Sequence, residues 1–130
     1  MAKRLYSGRD FQTVGREPLV MSLEMDEFQT AAVRNVIGSR RRFFPLLSRL
    51  VEEDYGPEGD ISFLPTQLQA LAEEIRGMDV ELSAKDLKEE LYAFGRARVS
   101  VSDIRGLLAR LLAMTEGAMS RNESLFGFAD

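Results

Sequence analysis

Hydrophobic residues along this chain recur mainly at the three- and four-residue spacing that places them on one face of an α-helix. This spacing predicts about five helices. The first follows Asp26, a good N-cap residue, and ends at Gly38. A second begins at Pro45 and a third at Pro65, because proline suits the first turn of a helix. The third helix has the most regular apolar stripe, formed by Leu64, Leu68, Leu71, Ile75 and Met78.

Two further helices are predicted in the second half of the chain. Ser83 and Asp86 resemble a capping box, with aspartate in place of the usual glutamate or glutamine. The helix that they open is the fourth, and it is expected to stop at Gly95. The residues that this fourth helix is expected to bury are Leu87, Leu91 and Phe94. Ser102 can cap the last helix, which carries a broad apolar stripe.

Two short segments have the alternating pattern of an extended chain. Met21, Leu23 and Met25 alternate with polar residues, and Phe126 and Phe128 share a face if the tail is extended. Two isolated apolar segments need backbone partners, so we expect them to pair as a minor two-stranded β element lying on the helices. The predicted fold is therefore mainly α (α+β), with about five helices in one compact domain.

The start of the chain shows no clear period and contains glycines and scattered charges. We therefore expect a flexible N-terminal arm over residues 1–18 and a single α-rich domain over residues 19–130. The basic residues near the start precede no apolar region of a secretory signal. No apolar run approaches the roughly 20 residues that cross a bilayer. The expected location is the cytoplasm, without membrane association.

Composition changes this picture at the level of function. The 130 residues include no histidine, cysteine or tryptophan. The chain thus lacks the usual general base near neutral pH, the thiolate nucleophile and the favoured nitrogen and sulfur ligands of transition metals. We predict a protein that is not an enzyme and has no cofactor or metal. A net charge of -4 also argues against indiscriminate binding to nucleic acid.

The acidic loop, residues 52–60, is the candidate partner-binding site. Tyr55 lies in it and is either an exposed aromatic anchor or a side chain that folds back over the adjacent helix. The carboxylates favour a basic partner surface; a calcium site and a merely solvated turn remain alternatives. The residues predicted to bind the partner are Glu52, Asp54, Tyr55, Glu58 and Asp60.

Basic residues supply the alternative function, a small nucleic-acid-binding regulator. The run 40–42 consists of three arginines followed by two phenylalanines, a composition that can contact phosphates and stack bases. The last helix carries Arg105 and Arg110. The other interpretation of the run 40–42 is that its three arginines cap a helix end or pair with nearby carboxylates. The adjacent carboxylates Glu73 and Glu74 point about 100° apart on a helix, so we expect them to face solvent.

Several segments in order resemble a known class of protein. They are a Phe-Pro-Leu-Leu helix start at 44–50, an acidic Tyr-Gly turn at 54–60, a short apolar segment at 61–64, a Gln-Leu-x-x-Leu helix at 67–75 and an apolar tail at 125–130. This order resembles the small, largely uncharacterised bacterial proteins often regarded as immunity proteins of polymorphic-toxin systems. The resemblance implies a compact α-rich protein that binds and blocks a toxin, with no catalytic residues. We therefore predict an intracellular protein-binding module; a small oligomeric scaffold is a third alternative.

Overall fold

The computed structural model describes residues 2–10, 22–57 and 59–129. These residues form four α-helices, six β-strands and two short 3₁₀ turns. The helices are α1 (Glu27–Ile37), α2 (Pro45–Leu50), α3 (Leu68–Ser83) and α4 (Val101–Ser120). The strands are β1 (Lys3–Gly8), β2 (Ser22–Met25), β3 (Asp60–Phe63), β4 (Glu90–Tyr92), β5 (Arg98–Ser100) and β6 (Ser124–Ala129). The 3₁₀ turns are Arg41–Phe43 and Pro65–Gln67.

The expected mainly α fold with one minor two-stranded element is wrong, because the chain has an α+β architecture. Four strands form an antiparallel sheet in the order β2-β1-β6-β3, and β4 and β5 form a separate hairpin. The C-terminal strand β6 does not pair with β2, as the sequence had suggested. It pairs instead with β1 on one side and β3 on the other.

Strand β1 lies within the segment predicted to be a flexible arm, and it occupies an interior position of the sheet. Its inward positions are Lys3, Leu5 and Ser7, all buried. Because two of these three residues are polar, the strand has almost no hydrophobic alternation, and the pattern gives no sign of it. The prediction of a flexible arm is therefore wrong for residues 3–8, which form a strand. Residues 11–18 of the predicted arm lie outside the described residues.

The predicted fourth helix is absent, and residues 2–10, 22–57 and 59–129 contain four α-helices instead of about five. Residues 90–100 form the β4–β5 hairpin, with Leu91 opposite Val99. Gly95 has φ +57° at the hairpin tip, a conformation that glycine adopts readily. Leu87 and Phe94, which were expected to be buried, are exposed.

The local signals of the other helices are confirmed, with shifts at the starts of α3 and α4. Pro65 begins a 3₁₀ turn and α3 starts at Leu68, so Leu64 of the predicted stripe lies before the helix and is exposed. The Asp26 side chain accepts a hydrogen bond from the Gln29 backbone N–H, and the Gln29 side chain accepts one from the Asp26 N–H. This reciprocal capping box fixes the start of α1, and Pro45 is at the start of α2. The cap of α4 is Ser100 instead of Ser102, since its Oγ accepts from the Asp103 N–H.

One apolar cluster joins the sheet and the helices. Helices α3 and α4 pack on each other along their length, and the inward face of the sheet contributes Leu5, Phe63 and Leu125 to the same cluster. All three side chains are fully buried. Burying this surface supplies the main driving force for folding. No helix in the described part of the chain is long and apolar enough to cross a membrane.

Candidate functional site

The acidic loop follows α2 and leads into β3. Glu52 forms an ion pair with Arg41, with 2.6 Å between the guanidinium Nη2 and the carboxylate. Asp54 accepts a hydrogen bond from the Gly56 backbone N–H at 2.9 Å, which closes a local turn. Asp60 begins β3, opposite Phe128. Glu58 lies outside the described residues.

Tyr55 folds back against the sheet and is not an exposed anchor. Only 8% of its surface is exposed, and its hydroxyl donates a hydrogen bond to the Leu50 backbone oxygen. Burial raises the pKa of the Tyr55 hydroxyl well above its usual value, and the nearby charge of Glu52 adds to the rise. Of the two interpretations drawn from the sequence, the exposed anchor is wrong and the side chain that folds back is correct.

Gly127 makes room for the tyrosine ring. A Cβ at this position would lie 3.0 Å from Ile61 Cγ1, 3.1 Å from Leu5 Cδ2 and 3.4 Å from Tyr55 Cε2. The Tyr55 ring therefore packs against the sheet at a position that has no side chain. This contact holds the acidic loop against the centre of the sheet.

A buried lysine also contacts the Tyr55 ring. Lys3 Nζ is 4.2 Å from the ring centroid and donates a long hydrogen bond, 3.4 Å, to the Glu53 backbone oxygen. Lys3 is only 1% exposed. Desolvation lowers the pKa of its ammonium, and the charge of Arg34 lowers it further, while Asp54, Glu53 and Glu52 act in the opposite direction.

Lys3 and Arg34 line a cleft of about 440 Å³ between β1, α1, the acidic loop and the β4–β5 hairpin. The Arg34 side chain is half-buried, and its Nη1 donates to the Val51 backbone oxygen at 2.8 Å. The carboxylates of the cleft are on exposed residues, whereas its lysine is buried. The cleft is thus cationic inside and acidic at its mouth. Its lining residues are Lys3, Glu27, Thr30, Arg34, Glu53 and Phe94.

Phe94, which lines this cleft, forms an aromatic pair with Phe28. The rings of Phe28 and Phe94 stack with centroids 5.1 Å apart and planes at 10°. They remain 41% and 42% exposed, respectively. Tyr92, on the same hairpin, is also exposed and lies beneath the guanidinium of Arg98 at 4.7 Å.

Sequence reasoning missed most of this cleft. Lys3 belongs to the predicted arm, and the helical spacing placed Phe94 in the core. A signal for the hairpin was present in Gly95 followed by Arg96, because a glycine and a polar residue suit an exposed turn. No local signal joins Lys3 to Arg34, because Lys3 is on β1 and Arg34 is on α1, and only tertiary packing brings both to one cleft.

The arginine run 40–42 is mostly occupied by contacts within the chain. Arg40 pairs with Glu81 at 2.6 Å and also donates to the Val36 backbone oxygen at the end of α1. Arg41 pairs with Glu52. In the last helix, Arg105 pairs with Asp79 at 2.9 Å. These contacts fit the alternative that the arginines cap a helix end and pair with carboxylates.

Glu74 also differs from its predicted place on a solvent-facing surface. Its carboxylate accepts hydrogen bonds from the backbone N–H groups of Leu46 and Leu47, at 3.0 and 2.9 Å, and so caps α2 from α3. Partial burial raises the pKa of this carboxyl group, while the two backbone bonds act to lower it. Glu73, its neighbour, is exposed.

Within the described ranges, no group of three or more acidic residues is arranged to hold a metal ion. The chemistry that the cleft offers is recognition by charge, hydrogen bonding and aromatic contact. No protein family, no curated protein and no solved structure matches this chain significantly.

Proposed function

We propose that this chain is a non-enzymatic, intracellular protein-binding module, and most concretely an immunity-type inhibitor of a toxin. The observation that carries the proposal is the stacked and exposed pair of Phe28 and Phe94 beside the acidic loop. We call these two residues, with Glu53 and Asp54, the aromatic–acidic surface. The missing histidine and cysteine support a binding role over a catalytic one.

Exposed aromatic rings favour association with another protein. Phe28 and Phe94 leave much of their apolar surface in water, where it contributes little to the stability of the fold. Aromatic residues of this kind dominate the binding energy of many interfaces when a partner covers them. Their stacked rings form one contiguous apolar patch that a partner side chain can contact.

The charge beside this patch favours a basic partner. Glu53 and Asp54 are exposed at one end of the acidic loop, and Glu53 lines the same cleft as Phe94. Carboxylates at the edge of an apolar patch attract a positively charged groove and speed its encounter with the protein. A nuclease-like toxin has such a groove because it must bind phosphates. In this proposal Glu53 and Asp54 contact the partner, while Tyr55 supports the loop from below.

The proposal is tested by the reading frames next to this gene. Each is expressed alone and together with this chain, and growth is measured. We expect one neighbour to arrest growth, this chain to restore it, and the purified pair to form a stable complex by calorimetry. If no neighbour is toxic and none binds, and the purified chain retains duplex DNA at moderate salt, the nucleic-acid-binding alternative is correct.

Variants of the aromatic–acidic surface then locate the contact. Phe94→Ala should weaken the complex by about 2 kcal/mol or more if the ring is an anchor. Glu53→Lys should slow association and reduce its salt dependence, because it removes a charge that attracts the basic partner. Glu73→Lys is the matched control, because it reverses an exposed glutamate on α3 outside the cleft. Equal effects of the two charge reversals would contradict this placement of the interface.

A further inference from the structure

The cleft also contains a buried ammonium group that its surroundings only partly satisfy. Lys3 makes one long hydrogen bond and one contact with an aromatic face. None of the carboxylates in the described part of the chain forms an ion pair with it. The carboxylates of Glu52, Glu53 and Asp54 act on it only from a distance. An ammonium group removed from water without a direct ion pair is costly, and an anion bound beside it reduces that cost.

Arg34 adds a second cation to the inner part of the cleft. One guanidinium nitrogen, Nη1, donates to the Val51 backbone oxygen. A guanidinium has five N–H donors, so this contact leaves donors for a ligand. The planar guanidinium fork matches the two oxygens of a carboxylate.

We propose that this cleft binds a small organic acid, with its single carboxylate held by Lys3 and Arg34 and its apolar body against Phe94. The volume of about 440 Å³ is in the range of small-molecule sites. The exposed carboxylates of Glu27 and Glu53 at the mouth disfavour a dianion such as phosphate more strongly than a monoanion. The lining thus selects a carboxylate that carries an apolar or aromatic group.

The test uses the purified full-length chain and does not depend on any protein partner. Hydrocinnamate, a carboxylate with a phenyl group, is titrated while amide resonances are followed by NMR. Its neutral amide, hydrocinnamamide, is the matched ligand control, and inorganic phosphate is titrated separately. We expect hydrocinnamate to shift resonances of the cleft residues and the other two probes to bind at least about tenfold more weakly.

Two variants assign the contacts. Lys3→Met keeps the length of the side chain and removes the charge, and it should reduce hydrocinnamate affinity about tenfold or more. Lys85→Met removes the charge of an exposed lysine outside the cleft and should leave affinity unchanged. Phe94→Ala changes an exposed residue and should weaken the binding of hydrocinnamate but not the binding of acetate. The proposal therefore remains testable if Lys3→Met does not fold.

A carboxylate of this type also occurs at the C-terminus of a protein chain. A short peptide that ends in phenylalanine is therefore compared with its C-terminal amide. Preference for the free peptide over hydrocinnamate identifies a chain terminus as the source, and the reverse identifies a free acid. The proposal is overturned if the neutral amide binds as well as hydrocinnamate, if phosphate binds more tightly, or if folded Lys3→Met keeps full affinity.

Discussion

Among single residues, Lys3, Tyr55 and Gly127 form the contact that joins the acidic loop to the sheet. The Tyr55 ring packs over Gly127 and beneath the ammonium of Lys3. Each residue is ordinary in the sequence, and its role depends on the other two. The loop that was predicted to present a tyrosine to a partner is instead anchored by that tyrosine.

Gly127→Ala should destabilise the chain by about 1–3 kcal/mol, because the new methyl group would crowd Ile61 and Leu5. The measurement is urea unfolding followed by circular dichroism. Gly106→Ala is the matched control: Gly106 is inside α4 with no heavy atom near its Cβ position, so alanine there should stabilise by up to about 1 kcal/mol. Equal shifts for the two variants would contradict the packing described for Tyr55.

Lys3 should make stability rise with pH in the alkaline range. Its pKa in the folded chain is below the usual 10.5, so between these two values the unfolded chain binds more protons than the folded one. At pH values below the pKa of the folded chain, the folded state bears the full free-energy cost of burying the charged ammonium. This cost disappears as pH approaches the pKa of the unfolded chain. As pH rises through the folded pKa toward 10.5, the free energy of unfolding should therefore rise for the natural chain relative to Lys3→Met. Parallel pH profiles of the two proteins would show that the ammonium is not desolvated.

At the scale of elements, α2 depends on a carboxylate from another helix. It has six residues, and the residue at its N-cap position, Phe44, provides no side-chain hydrogen bond. Glu74 on α3 accepts from the first free N–H groups instead. The sequence predicted where α2 begins, through Pro45, but not what satisfies its N–H groups.

Glu74→Ala should destabilise the fold by about 1–2 kcal/mol, since it leaves two backbone N–H groups at the start of α2 without their acceptor. Thermal unfolding measures the loss. Glu73→Ala provides the control one position away, because Glu73 is exposed and accepts only from Gln69 among the described side chains. A larger loss for Glu73→Ala would rule out the capping role of Glu74.

The β4–β5 hairpin shows why local spacing misassigned one element. Leu87, Leu91 and Phe94 have the spacing of a helical stripe, but long-range contacts stabilise strands. The Asn35 side chain on α1 donates to the backbone oxygens of Tyr92 and Ala93, at 2.9 and 2.7 Å. These two hydrogen bonds join the hairpin to α1, and the local spacing of apolar residues does not reveal them.

At the scale of the whole molecule, the two ends of the chain meet in the sheet. Strands β1 and β6 pair along six residues each and form the interior of the order β2-β1-β6-β3. A chain that starts after Gly8 lacks β1, which leaves β2 without its partner strand, leaves one edge of β6 unpaired and opens the core at Leu5.

Removal of residues 1–8 should therefore abolish cooperative unfolding, whereas loss of a flexible arm would leave the melting temperature unchanged. Thermal unfolding by circular dichroism and the dispersion of amide resonances distinguish the two results. A truncated chain with the stability of the full chain would show that β1 contributes little to the fold.

The sequence by itself determined the features whose hydrogen bonds close within a few residues. The capping box of Asp26 and Gln29, the start of α2 at Pro45 and the apolar stripe of α3 all follow from local geometry. The absence of histidine and cysteine is likewise readable without a structure.

Only the tertiary structure decided the strand order, the inward position of Tyr55 and the cleft. Lys3, Arg34, Glu53 and Phe94 come from a strand, a helix, a loop and a hairpin turn far apart along the chain. Their proximity depends on which strands pair and in what register, and a polar strand such as β1 does not reveal this through alternating hydrophobic residues.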